Sequence, residues 1–235
     1  MLCQDVRVTD ANDSGKQAAG RYAAGLVESG MRIGLGTGST AHWLIVELAL
    51  RAGRGEIDIT CTATSRRSEE LAIESGLRVL SPDRIGALDI AIDGADEIDP
   101  AFNLIKGGGG AHLREKIVAQ MASRFVVVAD ESKLVERLGA FGLPLEVLDF
   151  APAVASARVT ALGATSVTTR PQRSDNGNLL LDAHFPAIDD PAALARELEQ
   201  IPGVLEHGLF LGAMVARVVI GESDGSVREV SRRPG

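Results

Sequence analysis

Apolar positions along this chain alternate between two patterns. Over residues 14–28, Ala18, Ala19, Tyr22, Ala23 and Leu26 recur close to the 3.6-residue period of an amphipathic helix. Residues 31–35 form a short apolar run that breaks into Gly36-Thr37-Gly38-Ser39-Thr40, and residues 41–50 return to helical spacing. The same alternation continues downstream. It predicts strands over 57–63, 77–80, 88–92, 104–105 and 125–129, and helices over 65–75, with Ser65 as N-cap, and about 111–122. Strands alternating with helices in this way predict an open, mostly parallel sheet.

After about residue 135 the texture changes. A strand over 145–147, a helix over 151–162 and strands over 167–170 and 179–182 follow, the last two joined by the strong turn signal Ser174-Asp175-Asn176-Gly177-Asn178. A further helix is expected over 191–200, with Pro191 in its first turn. This β-α-β-β-α-β order predicts a small α+β lobe with an antiparallel sheet. Residues 214–220 are apolar enough to rejoin the main sheet. The expected division is therefore an α/β domain from residues 1–136 and 209–235, with a lobe inserted at roughly 137–208. Residues 1–13 read as a loose polar lead-in.

Composition narrows the class. The 235 residues are 45% hydrophobic but only 3% aromatic, so the core must be built from Ala, Val, Leu and Ile, as in parallel strands covered on both faces. That apolar content excludes a disordered chain. The net charge of −8 argues against a nucleic-acid partner, because such binding needs a basic face. Any anion must therefore be held by a local arrangement. No apolar run reaches the ~18 residues of a membrane span, and residues 1–15 lack the apolar stretch of a signal peptide. Cys3 and Cys61 form neither a disulfide framework nor a CxxC pair. A cytoplasmic protein without a membrane partner is expected.

In open α/β sheets ligands bind beyond the carboxyl ends of the strands, and the unusual residue clusters all fall at such places. Gly36-Thr37-Gly38-Ser39-Thr40-Ala41 fits the dinucleotide pattern G-x-G-x-x-A, with Glu56 and Asp58 about 20 residues on. Its hydroxyls nevertheless suit a terminal phosphate better, and no Gly-Lys-Ser/Thr follows to make a P-loop. Asp93-Gly94-Ala95-Asp96-Glu97, with Asp99, is open to several readings: metal binding, proton transfer, hydrogen bonds to sugar hydroxyls, or a solvated loop. EF-hand spacing fails there, and no His lies close by. Lys106 is followed by four glycines, which suggests backbone passing close to a ligand, and Glu115 sits one turn into the next helix. Asp130-Glu131-Ser132-Lys133 ends the strand over 125–129. His42, His112, His184 and His207 form no constellation, and His112 is expected at the surface or packed beside the site, without a catalytic role.

Taken together, Gly34-Leu35-Gly36-Thr37-Gly38-Ser39-Thr40-Ala41, Asp93-Gly94-Ala95-Asp96-Glu97, Lys106-Gly107-Gly108-Gly109 and Arg114-Glu115-Lys116 follow the order and spacing of ribose-5-phosphate isomerase type A. Ala129-Asp130-Glu131-Ser132-Lys133, Leu143-Pro144-Leu145-Glu146-Val147, Asp175-Asn176-Gly177-Asn178 and Ile201-Pro202-Gly203-Val204 also resemble that family, so the likeness spans nearly the whole chain. The resemblance implies a Rossmann-like domain with a smaller ferredoxin-like lobe. It implies interconversion of ribose 5-phosphate and ribulose 5-phosphate, no metal or organic cofactor, and a homodimer. By the same resemblance Glu115 is the general base, Asp93 and Asp96 handle hydroxyl protons, and Lys106 is the cation beside the reacting oxygens. Thr37, Gly38, Ser39, Thr40, Gly94, Ala95, Gly107, Gly108, Gly109 and Lys133 join Asp93, Asp96 and Lys106 as substrate-binding positions. Chemistry adds a condition: the base works best with a pKa lifted toward neutrality, so no ammonium should hold it in a tight pair. The alternative from a different class is a sugar-phosphate sensor on the same fold, for which the chain has no spare DNA-binding segment.

Overall fold

The computed structural model describes residues 11–230. Residues 1–10 of the expected polar lead-in, and Cys3 with them, lie outside the described residues. Helix α1 (Ala11–Ala24) already includes residues 11–13, so it starts and ends earlier than the apolar spacing suggested. The chain continues through β1 (Arg32–Leu35), α2 (Ser39–Gly53), β2 (Thr60–Ala63), α3 (Arg66–Glu74), β3 (Arg78–Val79), α4 (Pro82–Ile85) and β4 (Ile90–Asp93). Then come β5 (Glu97–Ile98), β6 (Leu104–Ile105), α5 (His112–Met121) and β7 (Phe125–Asp130). Ser65 caps α3 as expected, its hydroxyl accepting from the Ser68 N–H.

The second half contains β8 (Leu143–Val147), α6 (Pro152–Ala161), β9 (Ser166–Arg173), β10 (Leu179–His184), α7 (Pro191–Glu199) and β11 (Val204–His207). It ends with β12 (Leu209–Phe210), β13 (Val215–Gly221) and β14 (Val227–Val230). The main sheet has seven strands in the order β14-β13-β7-β4-β1-β2-β3. Every neighbouring pair is parallel except β13 and β14, and β14 carried no strand signal in the sequence.

Alternation along the strands sorts their side chains into two layers. Ile33, Leu35, Ile90, Ile92, Val126, Val128 and Val219 face α1 and α2, packing with Ala19, Ala23, Leu44, Ile45 and Leu48. Ala91, Phe125, Val127, Ala129, Val218 and Ile220 face the other way, toward Val118 and Ala119 of α5 and Phe210 of β12. Burial on both faces is what the aromatic-poor, branched-aliphatic composition foretold.

Strands β8 to β11 form a separate four-stranded antiparallel sheet in the order β11-β8-β10-β9, the ferredoxin-like lobe. One expectation needs correcting. Leu104–Ile105 does not belong to the parallel sheet: β6 pairs antiparallel with β5 and β12 in a small third sheet. The glycine run that follows therefore enters the carboxyl edge of the main sheet from the side. Two-residue strands have no readable period, so the pairing rests on contacts distant in sequence.

Candidate active site

Three loops at the carboxyl edge of the main sheet, after β1, β4 and β7, meet the glycine run before α5 around one cavity. Thr37, Gly38, Ser39, Thr40, Gly94, Ala95, Asp96, Lys106, Gly107, Gly108, Gly109, Glu115 and Lys133 all line it. Asp93 is the exception among the expected positions: it lies beneath the cavity rather than on its wall. Its Oδ1 accepts from the N–H groups of Thr37 (2.9 Å) and Gly94 (2.7 Å), tying the first two loops together. Only glycine permits this approach, since a Cβ on Gly36 would sit 2.3 Å from Asp93 Oδ1.

Lys106 and Glu115 of the wall and Asp93 beneath it form a buried charge cluster. Lys106 Nζ lies 3.2 Å from Asp93 Oδ2 and 3.2 Å from Glu115 Oε2, and donates to the Gly94 carbonyl. Neither carboxylate oxygen has hydrogen-bond alignment with a partner. The Phe210 ring centroid is 5.4 Å from the same ammonium. Burial pushes the Glu115 carboxyl up to about 8; Asp93 and Asp96 push the same way, and Lys106 opposes them. Burial also raises Asp93, against the pull of Lys106 and its two amide donors. Lys106 itself stays above its ordinary value, because the surrounding carboxylates outweigh the cost of burying it.

An ammonium does stand 3.2 Å from the base, but it does not hold the base in an exclusive pair. One ammonium is shared between two carboxyls, so the trio is neutral only while it retains one carboxyl proton. The Thr37 and Gly94 amides stabilise the Asp93 anion, which leaves the proton to Glu115.

The other acidic candidates separate by contact. Asp96 accepts from the Gly108 N–H at 2.8 Å and faces the cavity. Glu97 instead accepts from the N–H groups of Gly139 (2.7 Å) and Phe141 (2.6 Å), and Asp99 from those of Ala101 and Asn103, so both shape loops. The glycine run also has an internal cause. A Cβ on Gly107, at φ +104, would meet His112 Nδ1 at 2.7 Å; one on Gly108 would meet Asp96 Oδ1 at 2.7 Å; one on Gly110 would meet Leu180 at 2.8 Å. At Gly109 the nearest atom is Thr37 Cγ2, at 3.6 Å. Packing within the protein thus accounts for most of the run.

His112 is not at the surface. It is fully buried, and burial first, then Lys116, pushes its imidazole down to about 3. Lys116 pairs with Glu206 at 2.5 Å, donates to the His207 carbonyl at 2.8 Å, and lies 5.0 Å from the Phe210 centroid.

Also on the cavity wall, α2 follows its N-cap Gly38 with no side-chain cap, so its first-turn N–H groups remain available to an anion. Lys133 stands on the short turn Glu131–Lys133, shaped by Asp130, whose Oδ1 accepts from the Ser132 N–H at 3.0 Å. Lys16 of α1 lines the cavity too. Nothing local in the sequence marks Lys16, because its place depends on how α1 packs across the sheet. Among the described residues no three His, Cys, Asp or Glu side chains are grouped to hold a metal ion, and no helix is long and apolar enough to cross a membrane.

A Rossmann-like sheet with an antiparallel ferredoxin-like lobe, and a lysine held between two buried carboxyls at the sheet's carboxyl edge, defines the class. The family model for ribose 5-phosphate isomerase A (phosphoriboisomerase A) matches residues 60–225. The ribose-5-phosphate isomerase A of Methanosarcina acetivorans is 47% identical over 233 residues, covering 97% of this chain and 98% of that protein. A solved D-ribose-5-phosphate isomerase in complex with phospho-erythronic acid superposes with a TM-score of 0.89 at 40% identity, covering 92% of this chain and 97% of that one. Ribose 5 phosphate isomerase A from Neisseria gonorrhoeae gives 0.89 at 36% identity, over 95% and 98%. The chain belongs to the ribose 5-phosphate isomerase A family.

Proposed function

We propose that Glu115, Lys106, Asp96 and Asp93 carry out the family's reaction, the interconversion of D-ribose 5-phosphate and D-ribulose 5-phosphate through an enediol. The observation that carries this assignment is the Glu115 carboxyl, buried at the cavity wall 3.2 Å from Lys106 and pushed up to about 8. As the carboxylate, Glu115 removes the proton from C2 of the open-chain aldose. The C2–H electron pair forms the C1–C2 double bond, and O1 takes up a proton to give the enediol. In the second half, Glu115 returns its proton to C1 while the O2 hydroxyl proton departs, leaving the C2 ketone. Lys106 and the glycine-run amides stabilise negative charge on O1 and O2. Asp96 at the cavity wall exchanges the hydroxyl protons and assists opening of the furanose ring. Asp93 acts from beneath, holding Lys106 and the amides of Thr37 and Gly94.

The phosphate sits on the α2 N-terminus with Ser39 and Thr40, between Lys16 and Lys133. Its binding energy orients the reacting carbons against Glu115. The lobe boundaries near residues 137 and 208, a homodimer and a cytoplasmic location complete this reading. The lobe's own apolar cluster, built from Leu143, Leu145, Val159, Leu181 and Leu198, supports the boundary. The free, buried Cys61 is compatible with a reducing compartment.

The test is ketose formation from ribose 5-phosphate by purified protein in EDTA with no added cofactor. Rapid formation of ribulose 5-phosphate is the expected result. Binding without turnover would replace this reading with a sugar-phosphate sensor.

A further inference from the structure

Arg170 belongs to the small lobe, yet its guanidinium reaches the glycine run. Nη1 donates to the carbonyls of Gly107 (2.9 Å) and Gly108 (3.1 Å). Nε and Nη2 grip Asp182 in a two-pronged pair at 2.7 and 2.6 Å. The side chain is 13% exposed, and all of these bonds except the one to the exposed Gly108 are partly shielded from water. Thr168 pairs with Asp182, so Arg170, two residues on, shares the face of the lobe sheet from which Leu180 approaches Gly110, and a break in the β9–β10 register follows it. Leu179 pairs with Arg173 and Leu181 with Thr169, so Arg170, Pro171 and Gln172 bulge opposite Leu180 alone. Pro171 is tolerated because β9 is an edge strand.

The consequence follows from the planar trans peptide, whose C=O and N–H point to opposite sides. Carbonyls drawn toward Arg170 turn the N–H groups of Gly108 and Gly109 the other way. The Gly108 N–H accordingly meets Asp96 at 2.8 Å, on the cavity side. The Gly107 carbonyl also accepts from the Gly110 N–H at 2.9 Å, closing the run into a tight turn.

We infer that Arg170, braced by Asp182, is a positioning residue: from the small lobe it locks the Gly107–Gly108 and Gly108–Gly109 peptides, holding the Gly108 N–H on Asp96 and turning the Gly109 N–H toward the reacting oxygens. This rests on the isomerase reading, in which Asp96 handles the hydroxyl protons and the free amide stabilises the enediol oxyanion. Arg170 does not line the cavity, and the proposed phosphate grip is built from other residues. Loss of Arg170 therefore affects the chemical step more than substrate capture.

The experiment compares Arg170→Met, Arg170→Lys and wild type in the full chain by kcat and KM for ribose 5-phosphate, with thermal unfolding alongside. Misplacing catalytic donors costs up to about a hundredfold in rate, so Arg170→Met is expected to lose about 10- to 100-fold in kcat with KM within about threefold. Arg170→Lys keeps the charge but offers a single ammonium for four acceptor atoms, and is expected to fall between the two. Wild-type kcat in Arg170→Met, or a loss carried by KM, would overturn the inference. Failure of both variants to fold would also count against it, leaving Arg170 as a stabilising strut. An inactive wild type would instead refute the isomerase reading itself.

Discussion

Replacing Glu115 by Gln tests the buried proton and the base in one variant. The carboxyl moves from 4.5 to about 8 on folding, with burial the largest cause. An acid whose folded-state pKa is raised keeps, in the folded protein, a proton that the unfolded chain has already released. Between those two values the Glu115 contribution to stability must therefore fall as pH rises, by about 1.4 kcal/mol per unit, reaching about 5 kcal/mol in all by pH 8. Glutamine keeps the shape, cannot ionise, and leaves Lys106 paired with Asp93. In urea unfolding at about pH 5, 6.5 and 8, Glu115→Gln is expected to gain on wild type by about 2 kcal/mol at each step. Any constant offset from the amide cancels in that comparison. Turnover of ribose 5-phosphate is expected to drop by about 10²- to 10⁴-fold, the usual contribution of a general base. Wild-type kcat/KM should also fall about tenfold per pH unit below about 8, as the carboxylate takes up its proton. Parallel stability curves for the two proteins would refute the buried proton, and near-normal turnover would refute the base.

Lys106→Met leaves Asp93 and Glu115 facing each other without their cation. Breaking such a buried pair costs about 3–5 kcal/mol, so the Tm loss should be large at about pH 8 and smaller at about pH 5, where Glu115 already carries its proton and one buried negative charge fewer is left unpaired. Equal losses at both would mean that the lysine contributes packing alone. Lys16→Ala and Lys133→Ala each remove a charged donor worth about 1.5–3 kcal/mol from the phosphate end, raising KM about ten- to a hundredfold with little change in Tm. An unchanged KM would take that lysine out of the phosphate site. Gly107→Ala sets a Cβ 2.7 Å from His112 at a positive φ, whereas Gly109→Ala meets only ordinary contact at 3.6 Å. Thermal unfolding should show a clear loss for the first and near wild-type stability for the second.

What could be read along the chain was whatever local chemistry encodes. The β-α-β-β-α-β order of the small lobe follows from period changes and from turn residues such as Asp175-Asn176-Gly177-Asn178, each signalled within a few positions. The loops after β1, β4 and β7 announce themselves by glycine, hydroxyl and carboxylate content at strand ends. Two-residue strands such as β5 and β12 carry no period, so the small third sheet that delivers Lys106 to the cavity was invisible. Lys16 and Arg170 were missed for a related reason: the packing of α1 and of the lobe sheet, not neighbouring residues, brings them to the site.

The relation between Lys106 and Glu115 shows the limit most clearly. The sequence supplies a base and a cation, and pairwise reasoning says that a close ammonium should hold the base in its ionised, weakly basic form. The fold brings in a second buried carboxyl and gives it two amide donors, which changes the outcome. One positive charge cannot neutralise two desolvated anions, so a proton is retained, and hydrogen bonding at Asp93 directs that proton to Glu115. In the proposed mechanism Lys106 then remains a cation beside the reacting oxygens while Glu115 stays basic enough to take a proton from carbon. The condition on the base is met by the number of charges enclosed together, a property of the folded site that no spacing along the chain records.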